Sequence, residues 1–127
     1  DACFAAPVAN YRTRHAPALE SIPALYFTDA VGGRDREGRK LARDFGVDVG
    51  SVFATKQAML ACHLSQEAWV VRQHGINGLG AHMEAWTRSV GADFGVDLAE
   101  GFRQYRHTPY PKAPVLQALL GDRVRGA

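Results

Sequence analysis

The chain has 127 residues, 46% hydrophobic and 22% charged, an ordinary globular composition that excludes a disordered or fibrous chain. Its 15 Lys and Arg against 13 Asp and Glu leave a net charge of +2, too balanced for nucleic acid as the main partner. No apolar run approaches the ~20 residues of a membrane span, and no charged segment leads into an apolar one as in a signal peptide.

Asp1-Ala2-Cys3-Phe4 opens the chain without Met and reads as the tail of a helix running into Pro7, so a fragment of a longer protein is expected. Residues 8–21 read as an irregular connection. Ile22–Thr28 is a short apolar, aromatic run that favours a buried strand, ending before Gly32 and Gly33. Residues 30–44 are rich in Gly and Arg, with a helical turn around Glu37–Arg43, and Phe45–Val49 suits a second strand. Ser51 stands where an N-cap belongs, and residues 52–73, free of Gly and Pro, predict one long helix broken at Gly75 and Gly78. A second helix follows over Leu79–Val90, then a strand within Gly95–Tyr105, a Pro-broken connection, and a short helix over Val115–Leu120. This order of strands and helices is an α/β pattern lacking its early strands.

On one continuous helix, Lys56, His63 and Gln66 fall near one face, at i, i+7 and i+10, with Met59, Leu60 and Val70 beside them. A cation, an imidazole and an amide among apolar neighbours suit a polar pocket wall or a hydrogen-bond network fastening helix to strand. Glu100 stands inside a probable strand and, if interior, needs a cationic partner, which Arg103 or the Lys56/His63 stripe could supply. Trp69, Trp86, Phe94 and Phe102 read as core. His82 and Glu84 point apart on a helix, and His15, His74 and His107 have no ligand-spaced partner. The sequence has no HExxH, CxxC or HxxxH spacing and no Walker loop, GxSxG elbow or GxGxxG. Arg34, Arg36, Arg39, Lys40 and Arg43 read as a solvated loop diluted by acids. Cys3 and Cys62 read as reduced, largely buried thiols of a cytoplasmic protein, with a single disulfide between them as the alternative.

Two segments carry a family resemblance. Residues Lys56–Gln66 resemble the K-x-x-A-x-x-x-H-x-S-Q helix of the PIG-L (LmbE-like) deacetylases, and Gly95–Arg103 is similar to their G-x-x-Y-A-E-x-F strand, with Leu98 in place of Tyr. Phe45–Ser51 is similar to the lead-in to that helix, and Pro17–Asp29 looks like the family's P-x-L-Y-Y segment. The resemblance implies zinc-dependent removal of an acetyl group from an N-acetylated amino sugar or related amide. It also implies that residues 1–127 are a single C-terminal segment of the domain: part of a Rossmann-like layered fold with a mostly parallel sheet. The family's metal motifs, A-H-P-D-D-E and H-P-D-H or H-x-D-H, have no counterpart here. The chain alone is therefore expected to hold no zinc and to be inactive, while Lys56, His63, Ser65, Gln66 and Glu100 line the pocket or support its polar groups. The expected partners are the amino-sugar-type substrate and either the protein's own N-terminal part or a second copy, without nucleic acid or membrane. The alternative is a non-catalytic binding or interaction module that keeps the fold without the metal centre.

Overall fold

The computed structural model describes residues 2–9 and 16–126. A short helix, α1 (Ala2–Ala5), precedes the first strand. Four strands follow in the chain: β1 (Tyr26–Thr28), β2 (Phe45–Asp48), β3 (Ala99–Gln104) and β4 (Val124–Arg125). They form one sheet in the order β1-β3-β2-β4, and every pairing is antiparallel. This corrects the expected mostly parallel, Rossmann-like sheet. A parallel pair needs a crossover between its strands, and here the helical segment between β2 and β3 returns the chain in the opposite direction.

The pleat sorts the sheet into two faces. Phe45 and Val47 share one face. With Val49 they form the buried cluster, against which Tyr26, Phe102, Leu116, Leu120 and Val124 pack. Phe45 stacks on Phe102 at 5.6 Å and meets Tyr26 edge-on at 6.1 Å. Leu116 and Leu120 belong to α5 (Val115–Leu120), which forms over the residues the sequence predicts. The helix is tied down by Tyr26, whose hydroxyl accepts from the Leu116 N–H at 3.0 Å and donates to Gln117 Oε1 at 3.2 Å. An N-terminal N–H otherwise left unpaired is thus satisfied across 90 residues.

On the other face Gly46 and Gly101 are direct partners, leaving a patch without side chains. Phe94 fills it over Gly46 and the Arg43 stem fills it over Gly101; a Cβ at either glycine would come within 2.4 and 2.3 Å of them. Phe94 follows α4 (Leu79–Asp93), which packs on β3 and β2. The sequence predicts that α4 stops at Gly91, yet it continues to Asp93. Gly91 is there for space: a Cβ would lie 2.5 Å from Val96 O and 2.8 Å from the Asp97 carbonyl. That backbone is held by the Val96 N–H donating to Gly91 O at 3.0 Å. Gly91→Ala is therefore expected to lose stability, its overpacking of about 1–3 kcal/mol outweighing a helix-propensity gain of up to about 1 kcal/mol. Gly80, on the same helix, has nothing within 4 Å of such a Cβ, so Gly80→Ala should gain stability. Urea unfolding of both variants checks the pair of signs.

The predicted helix over 52–73 is two helices, α2 (Phe53–Ala61) and α3 (Leu64–His74), both packed against α4. Neither Gly nor Pro breaks it. The Cys62 and His63 N–H groups donate to Met59 O and Leu60 O, three residues back, which tightens the last turn and ends α2. His63 leaves helical geometry at ψ 46°, and its carbonyl accepts from the Gln66 and Glu67 N–H groups to start α3. Gly75 ends α3 as predicted, in the left-handed conformation at φ 62°. Ser51 lies in a 3₁₀ turn over Gly50–Val52 and makes no side-chain cap; Asp48 Oδ1 instead accepts from the Gly50 N–H at 2.9 Å.

The apolar run Ile22–Thr28 pairs only over its last three residues. Pro23 has no N–H for a ladder, and β1 is an edge strand that leaves Phe27 and Thr28 exposed, so it is not the buried strand expected. The turn expected around Glu37–Arg43 is not helical. Arg34 bridges Lys40, and Asp35 Oδ1 accepts from the Glu37 and Arg39 N–H groups. Cys3 is half-buried, whereas Cys62 is exposed, and both are free. Trp69 is 51% exposed on α3 and is not a core residue. Asp1 and His15 lie outside the described residues. Among the described residues, no helix is long and apolar enough to cross a membrane.

Candidate functional site

The two motif-bearing segments meet at the end of the sheet from which α2 departs. Lys56, on α2, reaches Glu100 on β3, with Nζ 2.8 Å from Oε1. The same ammonium donates to Thr87 Oγ1 on α4 at 2.9 Å, and the Thr87 hydroxyl donates to Met83 O at 2.8 Å. Of the two partners the sequence leaves open for Glu100, the structure selects Lys56. Thr28, Asp29, Trp86 and Gly101 join these three groups around a cleft of about 220 Å³.

The Lys56–Glu100 pair is partly solvated, with side chains 26% and 41% exposed. Such a pair contributes about 1 kcal/mol or less to stability, so its value here is orientation: it fixes a cation and a carboxylate at the cleft mouth. Thr87 is fully buried and can turn its hydroxyl oxygen to Lys56 because its proton is committed to the turn before it.

A second ion-pair system supports the cleft from below. Arg43 donates from Nε to both Asp29 carboxylate oxygens, at 3.0 and 2.9 Å, and Nη2 lies 2.9 Å from Oδ2. Its Nη1 reaches Asp93, which also pairs with Lys40 at 3.1 Å. The guanidinium lies 5.7 Å from the Trp86 ring centroid. Within the basic loop, then, Arg43 is a buried strut with its side chain 7% exposed, not a solvated charge.

His63, Ser65 and Gln66 are not in the cleft. The break after α2 carries them to the exposed start of α3, so the expected stripe with Lys56 does not form. Of the five expected site residues, the structure brings Lys56 and Glu100 together and leaves the other three outside. Sequence reading missed Asp29 and Thr87. Asp29 ends an apolar run, which marks a strand end, but nothing in the spacing tells it apart from a turn residue. A single Thr in a helix gives no signal at all.

Among the described residues, no group of three or more His, Cys, Asp and Glu could hold a metal ion. The cleft offers one ion-paired carboxylate, Glu100, and one committed to Arg43, Asp29. This donor set does not fit the zinc that the resemblance implies. Comparison with family models, curated proteins and solved structures finds no match to the chain.

Proposed function

We propose that this chain supplies one wall of the substrate pocket of an amide hydrolase that deacetylates an N-acetylated amino sugar or related amide. The observation that carries the reading is the Lys56–Glu100 contact at 2.8 Å. It joins the two segments on which the family resemblance rests, 44 positions apart, in one cleft. The cleft's size agrees with a wall: it falls below the roughly 300–1,000 Å³ of a complete small-molecule pocket. In this reading the zinc and its ligands belong to other residues of the protein, and no step of the reaction is assigned to this chain's side chains. Lys56, held by Glu100 and Thr87, presents its one remaining N–H to a substrate oxygen. Glu100 accepts from a sugar hydroxyl while keeping Lys56 in place. The two unpaired thiols support a cytoplasmic location.

The test uses the full-length protein supplied with zinc, with acetate release from N-acetylglucosamine-containing glycosides as the readout. Lys56→Met is expected to lower kcat/KM about 10- to 100-fold, the loss of one hydrogen bond from a charged donor to the substrate, with little change in unfolding midpoint. Absence of zinc-dependent acetate release, or a Lys56→Met variant of normal activity, overturns the reading.

One feature favours a second reading, a non-catalytic binding module. Each charged group of the cleft is already paired: Lys56 with Glu100, and Asp29 with Arg43. Neither is poised as a general base. This reading expects binding of the amino sugar without turnover, which the same assay with a parallel titration separates from the first.

A further inference from the structure

At the opposite end of β3 from Glu100, a second groove of about 540 Å³ opens between β1, β3 and the segment that follows β3. Its walls are aromatic and cationic, with one carboxylate, Asp44. Phe27 and Arg103 are cross-strand partners, with the guanidinium 5.8 Å from the ring centroid. Tyr105 meets Phe27 edge-on at 5.9 Å and Tyr110 edge-on at 4.9 Å, and His107 lies tilted against it at 5.2 Å. Tyr105 is thus held from three sides, while Phe27 and His107 stay exposed to a ligand.

Charge is not balanced in this groove. Arg106 faces Asp44 at 3.6 Å, and the same Asp44 oxygen already accepts from the Gln104 N–H at 3.0 Å. Among the described residues, no carboxylate lies within 4 Å of Arg103. Gln104, which also lines the groove, is 5% exposed. Its Nε2 donates to Ala113 O at 2.8 Å, which fixes the amide, and its buried Oε1 accepts no hydrogen bond. Gln104 is the cross-strand partner of Tyr26, so its amide lies on the core face of the sheet, away from Phe27 and Arg103, and takes no part in the ligand surface.

We propose that this groove binds a nucleoside phosphate. Two guanidinium groups match a phosphate, which Arg recognises with paired, charge-assisted hydrogen bonds. Beside them the exposed rings of Phe27 and His107 accept a flat heterocycle by stacking. A phosphate alone would leave the aromatic wall unused, and a nucleoside alone would leave Arg103 uncompensated. The site does not depend on the deacetylase reading, because it shares no residue with the Lys56 cleft.

The experiment is calorimetric titration of the full chain with adenosine monophosphate, with inorganic phosphate, adenosine and a short single-stranded oligonucleotide as separate arms. The monophosphate is expected to bind with a dissociation constant below about 1 mM, and phosphate and adenosine each at least about 10-fold more weakly. Arg103→Gln should weaken binding at least about 10-fold, and Arg103→Lys by less, since it keeps the charge and loses the planar fork. Lys56→Met should leave the affinity unchanged. Circular dichroism confirms that each variant is folded, and the conservative Lys variant keeps the test decisive if the Gln variant is not. No heat up to 10 mM monophosphate (about ten times the expected constant), phosphate binding as tightly as the nucleotide, an unaltered affinity on loss of Arg103, or tighter, steeply salt-dependent binding of the oligonucleotide each overturns the proposal.

Discussion

Replacing Arg43 with Met is expected to cost the fold about 3–5 kcal/mol, the range for removing one partner of a buried ion pair. Arg43 and Asp29 have side chains only 7% and 11% exposed, and Arg43 meets Asp29 through three close N–O approaches. Met keeps most of the apolar stem over Gly101 and under Trp86, so packing is largely retained. What is lost is the cation, and Asp29 is left as a desolvated carboxylate with no opposite charge. The companion variant Asp29→Asn with Arg43→Met removes both charges and should recover a substantial part of the loss. Urea unfolding of the two variants is the measurement. A loss below about 1 kcal/mol, the value of an exposed pair, would show that solvent reaches Asp29 and that the strut is ornamental. Asp29 also lines the cleft beside Thr28, so the single variant should disturb that wall as well as the fold.

The elements that the sequence specified well are those set by local chemistry. β2, α5 and the end of α3 at Gly75 follow from an apolar run, a helix between breakers, and a glycine able to take φ 62°. Strand direction is different in kind. An edge strand such as β1 and a central one such as β3 are not told apart by their residues, and no residue announces whether its neighbour runs parallel. The break at Cys62–His63 was equally silent, because it arises where α2 and α3 each settle on α4 and uses residues that would also fit a continuous helix. That single turn decides the site: it separates His63, Ser65 and Gln66 from Lys56. Conversely, the need of Glu100 for a cation could be read from one charged residue in a strand, and Lys56 meets it. Arg43 was misread for the same reason that Asp29 was missed. Charged residues in a Gly-rich loop look solvated until a tertiary partner, here Asp29, shows otherwise.

Phe45→Ala should be as damaging as loss of Arg43, by a different mechanism. Phe45 is 0% exposed at the start of β2, one of the two central strands. Its ring stacks on Phe102 across the β2–β3 pair and meets Tyr26 from β1 edge-on. One side chain therefore joins three strands, and Tyr26 passes that contact on to α5 through its hydroxyl. Truncation to Ala removes the buried ring area and leaves a cavity that neighbouring rings can fill only by leaving their own partners. A Phe-to-Ala change in such a core costs about 3–5 kcal/mol. Phe45→Leu should cost clearly less, since it keeps apolar volume and loses chiefly the aromatic geometry, worth about 0.5–1.5 kcal/mol per ring pair. The two variants can be separated by denaturant unfolding together with near-ultraviolet circular dichroism, where the Tyr26 signal reports whether its ring remains fixed. If Phe45→Ala unfolds with a midpoint close to the parent chain, the cluster collapses around the gap, and the join between β1, β3 and α5 does not run through this ring.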